Sequence, residues 1–482
     1  MKRPPAVLAV SLALAFGMAP LLTTPPASAQ SSAQLASTAS FPHDRFGAPA
    51  LVVASQNNPR LGATIVMFST GARLIVKPTR FSPGQVSVVA SFGAGRSGVP
   101  ENLVHAVWAT TLFPVGGTHQ MSYSDLDAWQ QRSGHPVNVT LVPAASAFRL
   151  QGEVPSGELE AELALLTAYA REPGFRSDMA TKIASVGQMM GMQIEGDTAA
   201  LFTRAVQRTL YGSRYQELPE QREIEATTGA EMPALLERSL AMAPDIAIVG
   251  DIEVDAAIRA VAATLAAGGA RPVESRSIPS IAMPMSGMRS MDFVNASAAS
   301  PVRLGLYWTL PNYRSGRRDD RPARVAAAMI EARLAQSIFP ASTVASPPVA
   351  RAVAPADIKG GGYLGIVFSG PGMAVPQIRD FSTSILKRFA FGRFTAAELA
   401  HARQIVTAEH RAEVESNDWW AQRLGVVLRD EGTAQALGAE AGDQRVDRRA
   451  VAAVFRRLCR GIAPIIVVSN SAGPAANEGR LK

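Results

Sequence analysis

Apolar residues recur along this chain with two different periods. Val86, Val88, Ala90 and Phe92 fall at every second position, as do Val137, Val139 and Leu141 and, much later, Val302, Leu304 and Leu306. A period of two predicts half-buried strands. Leu159, Leu163 and Leu166 instead share helical spacing, with Ser156 ahead of them and Pro173-Gly174 behind, which predicts an amphipathic helix with a definite end. Thr395-Ala-Ala-Glu398 has the form of a capping box, so a second helix is expected to start there. A first run of elements opens at Val86 and closes at Asp245-Ile-Ala-Ile-Val249; a second opens at Val302 and closes at Ile465-Ile-Val-Val468. Helical stretches lie between the ends of each run. The pattern predicts an α/β (α+β) protein made of two related units, each a β-sheet with helices covering one face. The stretch from Gly268 to Asn295 is rich in Gly, Pro, Ser and Met and reads as a linker.

Composition narrows the setting. Lys2-Arg3, the apolar run from Ala6 to Leu22 and Ala27-Ser-Ala29 together read as a secretory signal with a small-residue cleavage site. The apolar run is interrupted and short for a membrane span, so no stable membrane anchor is expected after cleavage, and a periplasmic or secreted location follows. About 450 mature residues exceed what one core usually serves. The expected organisation is a signal over 1–29, an extension over 30–61, a first domain over 62–267, a linker over 268–295, a second domain over 296–470 and a tail over 471–482. The single cysteine, Cys459, excludes an intrachain disulfide and reads as a packed helical residue. Net charge is +7 for the whole chain and falls to about +5 without Lys2 and Arg3. The basic residues are dispersed: Arg317-Arg318 is answered by Asp319-Asp320, and no basic run carries interleaved aromatics, which argues against nucleic acid as a partner.

Several motifs carry less than they promise. Gly93-Ala-Gly-Arg-Ser-Gly98 satisfies the dinucleotide fingerprint, yet Pro100-Glu101 follows and no acidic residue ends a second strand at the required distance, so a tight strand-to-helix turn is the better reading. No Gly-x-Ser-x-Gly elbow is present. His401 and His410 are nine apart on an expected helix and point to different faces; His43, His119 and His135 are isolated. Met189, Met190 and Met192 read as core filling rather than as a binding surface.

An ordered series of segments resembles the insulinase (pitrilysin) family of zinc metallopeptidases. The series comprises Gly62 to Pro78 as an opening hairpin, Gln85 to Gly95 as a strand and glycine turn, Tyr211-Gly-Ser-Arg-Tyr-Gln-Glu-Leu-Pro219, Ile248-Val-Gly-Asp-Ile252, Gly360-Gly-Gly-Tyr-Leu364 and Glu415-Ser-Asn-Asp-Trp-Trp420. The resemblance is strongest to the family's noncatalytic half. It implies two homologous domains of the mitochondrial-processing-peptidase-like metallohydrolase type. Active members carry His-x-x-Glu-His on a helix, where the histidines bind zinc and the glutamate activates water. In Leu103 to Thr118, aligning Leu112-Phe113 with the family's Leu-Phe puts Ala106, Ala109 and Thr110 where His, Glu and His belong. None ligates zinc or takes a proton. His105 is one residue out of register, and the family's third ligand falls in Ile183 to Met190, a run without an acid. By the Ser346-Pro347 landmark, Ile338 and Ala345 stand where the family has an Arg and a Tyr that hold the substrate carbonyl. Gly361, Gly362 and Tyr363 are a candidate peptide contact, because glycines before a strand permit close approach of another backbone.

The resemblance therefore implies a chain with no catalytic residue, cofactor or metal of its own, acting as a noncatalytic subunit that forms part of a substrate chamber. Zinc is then expected in a partner, an insulinase-like subunit with the intact motif, and a peptide is the expected substrate. Two alternatives stay open: a stand-alone peptide-binding or scaffolding protein, and a divergent metallopeptidase active alone.

Overall fold

The computed structural model describes residues 46–134, 139–273, 277–284, 290–294 (as backbone), 301–310, 313, 320–337, 347–370, 375–430, 437, 446–460 and 463–470. The signal-peptide reading, Val137, His43, His135, Ile338 and Ala345 lie outside the described residues.

The first part of the chain builds a seven-stranded sheet in the order β1-β2-β3-β7-β4-β6-β5. Its strands are β1 (Val52–Asn58), β2 (Ala63–Phe68), β3 (Arg73–Pro78), β4 (Gln85–Phe92), β5 (Thr140–Pro143), β6 (Phe148–Pro155) and β7 (Asp245–Gly250). Between them run α1 (Tyr123–Ser133), α2 (Leu159–Arg171), α3 (Met179–Gly196), α4 (Thr198–Tyr211), α5 (Gln221–Ala226) and α6 (Glu231–Leu240), with α7 (Val254–Ala263) after β7. The second part builds a five-stranded sheet in the order β10-β11-β9-β12-β8, from β8 (Ser290–Val294), β9 (Val302–Thr309), β10 (Val349–Val353), β11 (Tyr363–Gly370) and β12 (Ile465–Asn470). Its helices are α8 (Asp320–Ser337), α9 (Val375–Ala390), α10 (Ala396–Val414), α11 (Asn417–Val427) and α12 (Arg448–Leu458).

The two sheets share one topology. In the first, β7 is parallel to β3 and antiparallel to β4, and β4 is antiparallel to β6, which pairs with β5. In the second, β12 is parallel to β8 and antiparallel to β9, and β9 is antiparallel to β11, which pairs with β10. The five strands β3-β7-β4-β6-β5 thus repeat as β8-β12-β9-β11-β10, and the β1-β2 hairpin edge is peculiar to the first sheet. Two expected boundaries shift accordingly. Val52–Asn58, read as part of an extension, is a sheet strand paired with β2; its side chains are almost all exposed, so burial leaves no alternation in its sequence. Ser290–Val294, read as linker, is β8, too short to show a period.

Helices cover both faces of each sheet, where the alternation predicted cover on one. The inner face of the first sheet, with Leu74, Val76, Val86, Val88, Ile246 and Ile248, packs on α2, α6 and α7 through Leu163, Leu166, Leu236 and Val261. Its outer face, with Ile75, Val89, Ala247 and Val249, is covered by Trp420, Ala421 and Leu424 of α11, a helix that belongs to the second sheet's part of the chain. The exchange is reciprocal. Tyr307, Ile465 and Val467 on the outer face of the second sheet are covered by Phe202, Val206 and Leu210 of α4. Burial on both faces explains why β7 is apolar at successive positions.

Candidate functional site

The segment that aligns with the zinc motif follows β4. It leaves the strand through the glycine turn at Gly93-Ala-Gly95, where Gly93 and Gly95 both have φ of +58. A side chain at Gly95 would meet the Ala144 carbonyl and the Ala147 amide at 2.3 Å, so glycine there lets two backbones touch. Arg96 is buried against the same loop, its Nε donating to the Pro143 carbonyl at 2.7 Å. The fingerprint-like glycines are thus a packing turn.

Beyond Pro100 the chain winds as a 3-10 helix from Glu101–Gly116. The hydroxyls of Thr110 and Thr111 donate to the carbonyls three residues back, Val107 at 2.7 Å and Trp108 at 2.8 Å, and Pro114 removes an amide from the last turn. Three residues per turn separates successive side chains by about 120°. Ala106 and Ala109 therefore share a face, and position 110 is rotated by about 120° from position 106. An α-helix would have brought positions 106 and 110 almost into line. Ala106, Ala109 and Thr110 are all buried in this helix.

The neighbouring chemistry is committed elsewhere. His105, one position out of register, sets its Nε2 3.0 Å from the Glu231 carboxylate on α6. Trp108 donates from its indole nitrogen to the Thr227 hydroxyl at 2.9 Å. Its ring packs on Gly187 of α3, where even a methyl group would come within 2.8 Å of the indole. Gly187 lies inside the stretch where the family's third ligand falls. Ile183 and Met190 of the same stretch are buried core residues. Two alanines, a threonine bonded to its own helix and a paired histidine do not fit zinc, and among the described residues no three potential metal ligands cluster.

No family model matches the chain, and no curated protein does. Solved structures do. An inactive M16 peptidase domain from Pseudomonas fluorescens superposes with a TM-score of 0.67 at 15% identity, over 87% of this chain and 100% of that one. The ferredoxin protease FusC gives 0.67 at 12% identity, over 93% of this chain and 49% of that one. The periplasmic protease PqqL of Escherichia coli gives 0.60 at 13% identity, over 87% and 48%. The chain has the M16 peptidase fold. It spans about half the length of FusC and of PqqL.

Within that fold, the glycines before β11 are engaged internally. Gly361 accepts a hydrogen bond from the Tyr211 hydroxyl at 3.1 Å, and Gly362 accepts one from the Leu310 amide at 2.7 Å. A side chain at Gly362 would meet the Leu310 and Tyr313 carbonyls at 2.8 Å. Tyr363 packs edge-on against Tyr307, ring centroids 5.6 Å apart, and burial pushes its hydroxyl up to about 12. The strand is interior, paired with β10 and β9. The close approach made by Gly361 and Gly362 is to the chain's own α4 and to Leu310 and Tyr313, just beyond β9.

Other sequence candidates resolve similarly. His410 is buried on α10 against Trp419, and His401 on the same helix is exposed. Cys459 caps the C-terminal end of α12, and burial pushes its thiol up. Met190 fills core, but Met189 and Met192 are exposed, which corrects the expectation that all three do so. The capping box stands: Thr395 and Glu398 exchange side-chain-to-backbone bonds at 3.1 Å and 2.7 Å.

Sequence reasoning missed the polar seam between the halves. Ser416 caps α11, Asn417 accepts from the Thr79 hydroxyl at 2.6 Å, and Trp420 buries its ring under Lys77, 4.4 Å away. Arg429 lies 3.0 Å from Asp245, which also takes Arg73 at 2.8 Å, and it donates to the Gly93 carbonyl at 2.7 Å. Arg149 and Asp357 pair across the halves at 3.4 Å. Glu415 to Trp420 was readable as a family-like segment, but the partners that give it a role are more than 300 residues away in sequence.

Proposed function

We propose that this chain is a noncatalytic subunit of an insulinase-like peptidase, forming part of a peptide chamber with a partner chain that carries the zinc motif. The observation that carries the reading is the packed motif helix: all three ligand and base positions hold residues without the chemistry and are sealed in the core. An active zinc peptidase keeps an open coordination position for water and substrate. Coverage supports the same reading, since the chain matches the whole of an inactive M16 domain and half of two longer proteases. Zinc belongs to the partner in this account, and the partner supplies its own substrate-carbonyl contacts, because Ile338 and Ala345 provide none. A periplasmic location follows from the signal-like start of the sequence. Among the described residues, no helix is long and apolar enough to cross a membrane.

Mixing this chain with a zinc-motif-bearing insulinase-like chain from the same host is the test. Sedimentation is expected to show a heterodimer at micromolar concentration, with peptide turnover above that of the partner alone. If no complex forms and turnover is unchanged, a stand-alone binding protein replaces this reading.

A further inference from the structure

Folding gathers positive charge that the sequence disperses. Residues 375–394, which hold α9 and the turn after it, and residues 446–460, which hold α12, carry nine arginines and lysines against two aspartates. The net charge of these two segments equals the +7 of the whole chain, so the remainder of the chain is balanced. The two helices pack side by side on the second half's core. Phe389 and Phe455 set their ring centroids 5.0 Å apart, and Arg448 Nη1 donates to the Gly392 carbonyl at 2.8 Å. On α12, Arg449 and Arg456 are seven apart and share one stripe, opposite the buried Val451, Val454 and Leu458. On α9, Lys387 and Phe391 point away from the buried Ile378, Ile385 and Phe389, with exposed Arg388 beside them. Asp380 is taken by Arg379 at 2.8 Å. Phe391 is 82% exposed, more than any other large apolar side chain among the described residues, and it stands in the turn that Arg448 holds.

We propose that this face docks reversibly on a bilayer surface that contains anionic phospholipid. A polybasic surface is drawn to the negative potential of such a leaflet, where each added cation strengthens binding about fivefold, and guanidinium groups match the phosphate oxygens of the headgroups. The bilayer also accounts for Phe391, since an apolar ring flanked by cations enters the boundary between headgroups and acyl chains and leaves water there. A nucleic acid fits less well. Neither Ile378 to Phe394 nor Val446 to Arg460 offers an Asn or Gln to read a base edge, and contacts to duplex phosphates would leave the Phe391 ring in water. The inference is independent of the subunit reading, because it concerns a surface of this chain alone.

The test sediments the full mature chain with vesicles of phosphatidylglycerol and phosphatidylcholine in equal parts, and with vesicles of phosphatidylcholine alone. Binding is expected to be at least about tenfold tighter to the anionic vesicles and to weaken as salt rises. Arg388→Gln, Arg449→Gln and Arg456→Gln together, with the fold checked by the thermal transition, are expected to lower it at least about tenfold. Arg388→Lys, Arg449→Lys and Arg456→Lys together should retain most of it, because the charge is kept. Removing the same charge from exposed positions elsewhere, by Arg60→Gln, Arg80→Gln and Arg132→Gln, is expected to change it less than about twofold. Phe391→Ser is expected to weaken vesicle binding about fivefold without altering its salt dependence. No preference for the anionic vesicles, equal losses from the two glutamine triples, or full binding by Phe391→Ser would each overturn the proposal. Duplex DNA held as tightly as the anionic vesicles, and equally by Phe391→Ser, would show a general polyanion surface and overturn it too.

Discussion

Two family-like segments of this chain do opposite kinds of work. The helix from Glu101–Gly116 carries the segment read by alignment as the zinc motif, and its Ala106, Ala109 and Thr110 are buried. The helix α11, which begins in Glu415-Ser-Asn-Asp-Trp-Trp420, makes a full set of bonds and contacts to the opposite half. The first segment packs without strain on its chemistry, because Ala106 and Ala109 are small and apolar and the Thr110 hydroxyl is bonded within its own helix. The second set cannot be dispensed with, because it covers a sheet face that is otherwise bare. In this chain the packing between halves is built while Ala106, Ala109 and Thr110 offer no zinc ligand.

The seam gives the strongest way to break that comparison. Replacing Asp245 with Ala leaves Arg429 buried without its carboxylate and is expected to cost about 3–5 kcal/mol in chemical denaturation. Loss below about 1 kcal/mol would show that the seam is not what joins the halves. Leu424→Ala empties a fully buried position on α11, with an expected cost of about 2–5 kcal/mol. Hydrogen exchange should then speed up in β4 and β7 of the first half as well as in α11. Acceleration confined to α11 would contradict the reciprocal cover of the sheets.

The motif helix is expected to respond differently. Restoring Ala106→His, Ala109→Glu and Thr110→His together should destabilise the chain by overpacking, typically about 1–3 kcal/mol per site, and should not create stoichiometric zinc binding. A tight zinc site in that variant, measured by elemental analysis after dialysis, would show that the 3-10 winding relaxes to receive the metal.

A smaller, pH-dependent effect sits in the same half. Glu162 on α2 is buried, and desolvation pushes its carboxyl up to about 8 from an ordinary value of 4.5. Between those values the folded chain keeps a proton that the unfolded chain releases. Its contribution to stability therefore falls as pH rises through that window, by up to about 1.4 kcal/mol per pH unit. Glu162→Gln should flatten the dependence and raise the denaturation midpoint most at pH 8; an unchanged profile would rule out a neutral Glu162. Smallest of all, Thr395→Ala should cost about 1 kcal/mol through loss of the cap on α10.

Much of the architecture was legible because burial writes a period into the sequence. Val86 to Phe92, Leu159 to Leu166 and Thr395 to Glu398 each announced an element that the structure contains. β1 was not legible, because its side chains are exposed on both faces, and neither was β8, five residues inside a Gly- and Pro-rich stretch. The burial of Ala106, Ala109 and Thr110 fits the apolar character of Leu103 to Phe113 in the sequence. The 3-10 winding that carries them was not legible, since its causes include Pro114 and hydroxyl bonds at Thr110 and Thr111 that no hydrophobic period reports. Gly361 and Gly362 lie in a close internal contact, and sequence could not show that Tyr211 and Leu310 make it.

The central claim, that this chain lacks peptidase chemistry of its own, is tested most directly by assaying the purified mature chain on an unstructured peptide with and without a chelator. The account predicts no turnover above background and no change on adding chelator, in the wild type and in His105→Ala alike. Robust cleavage that a chelator abolishes, and that His105→Ala also removes, would contradict it and establish a metal site at a helix whose motif positions are buried in the structure.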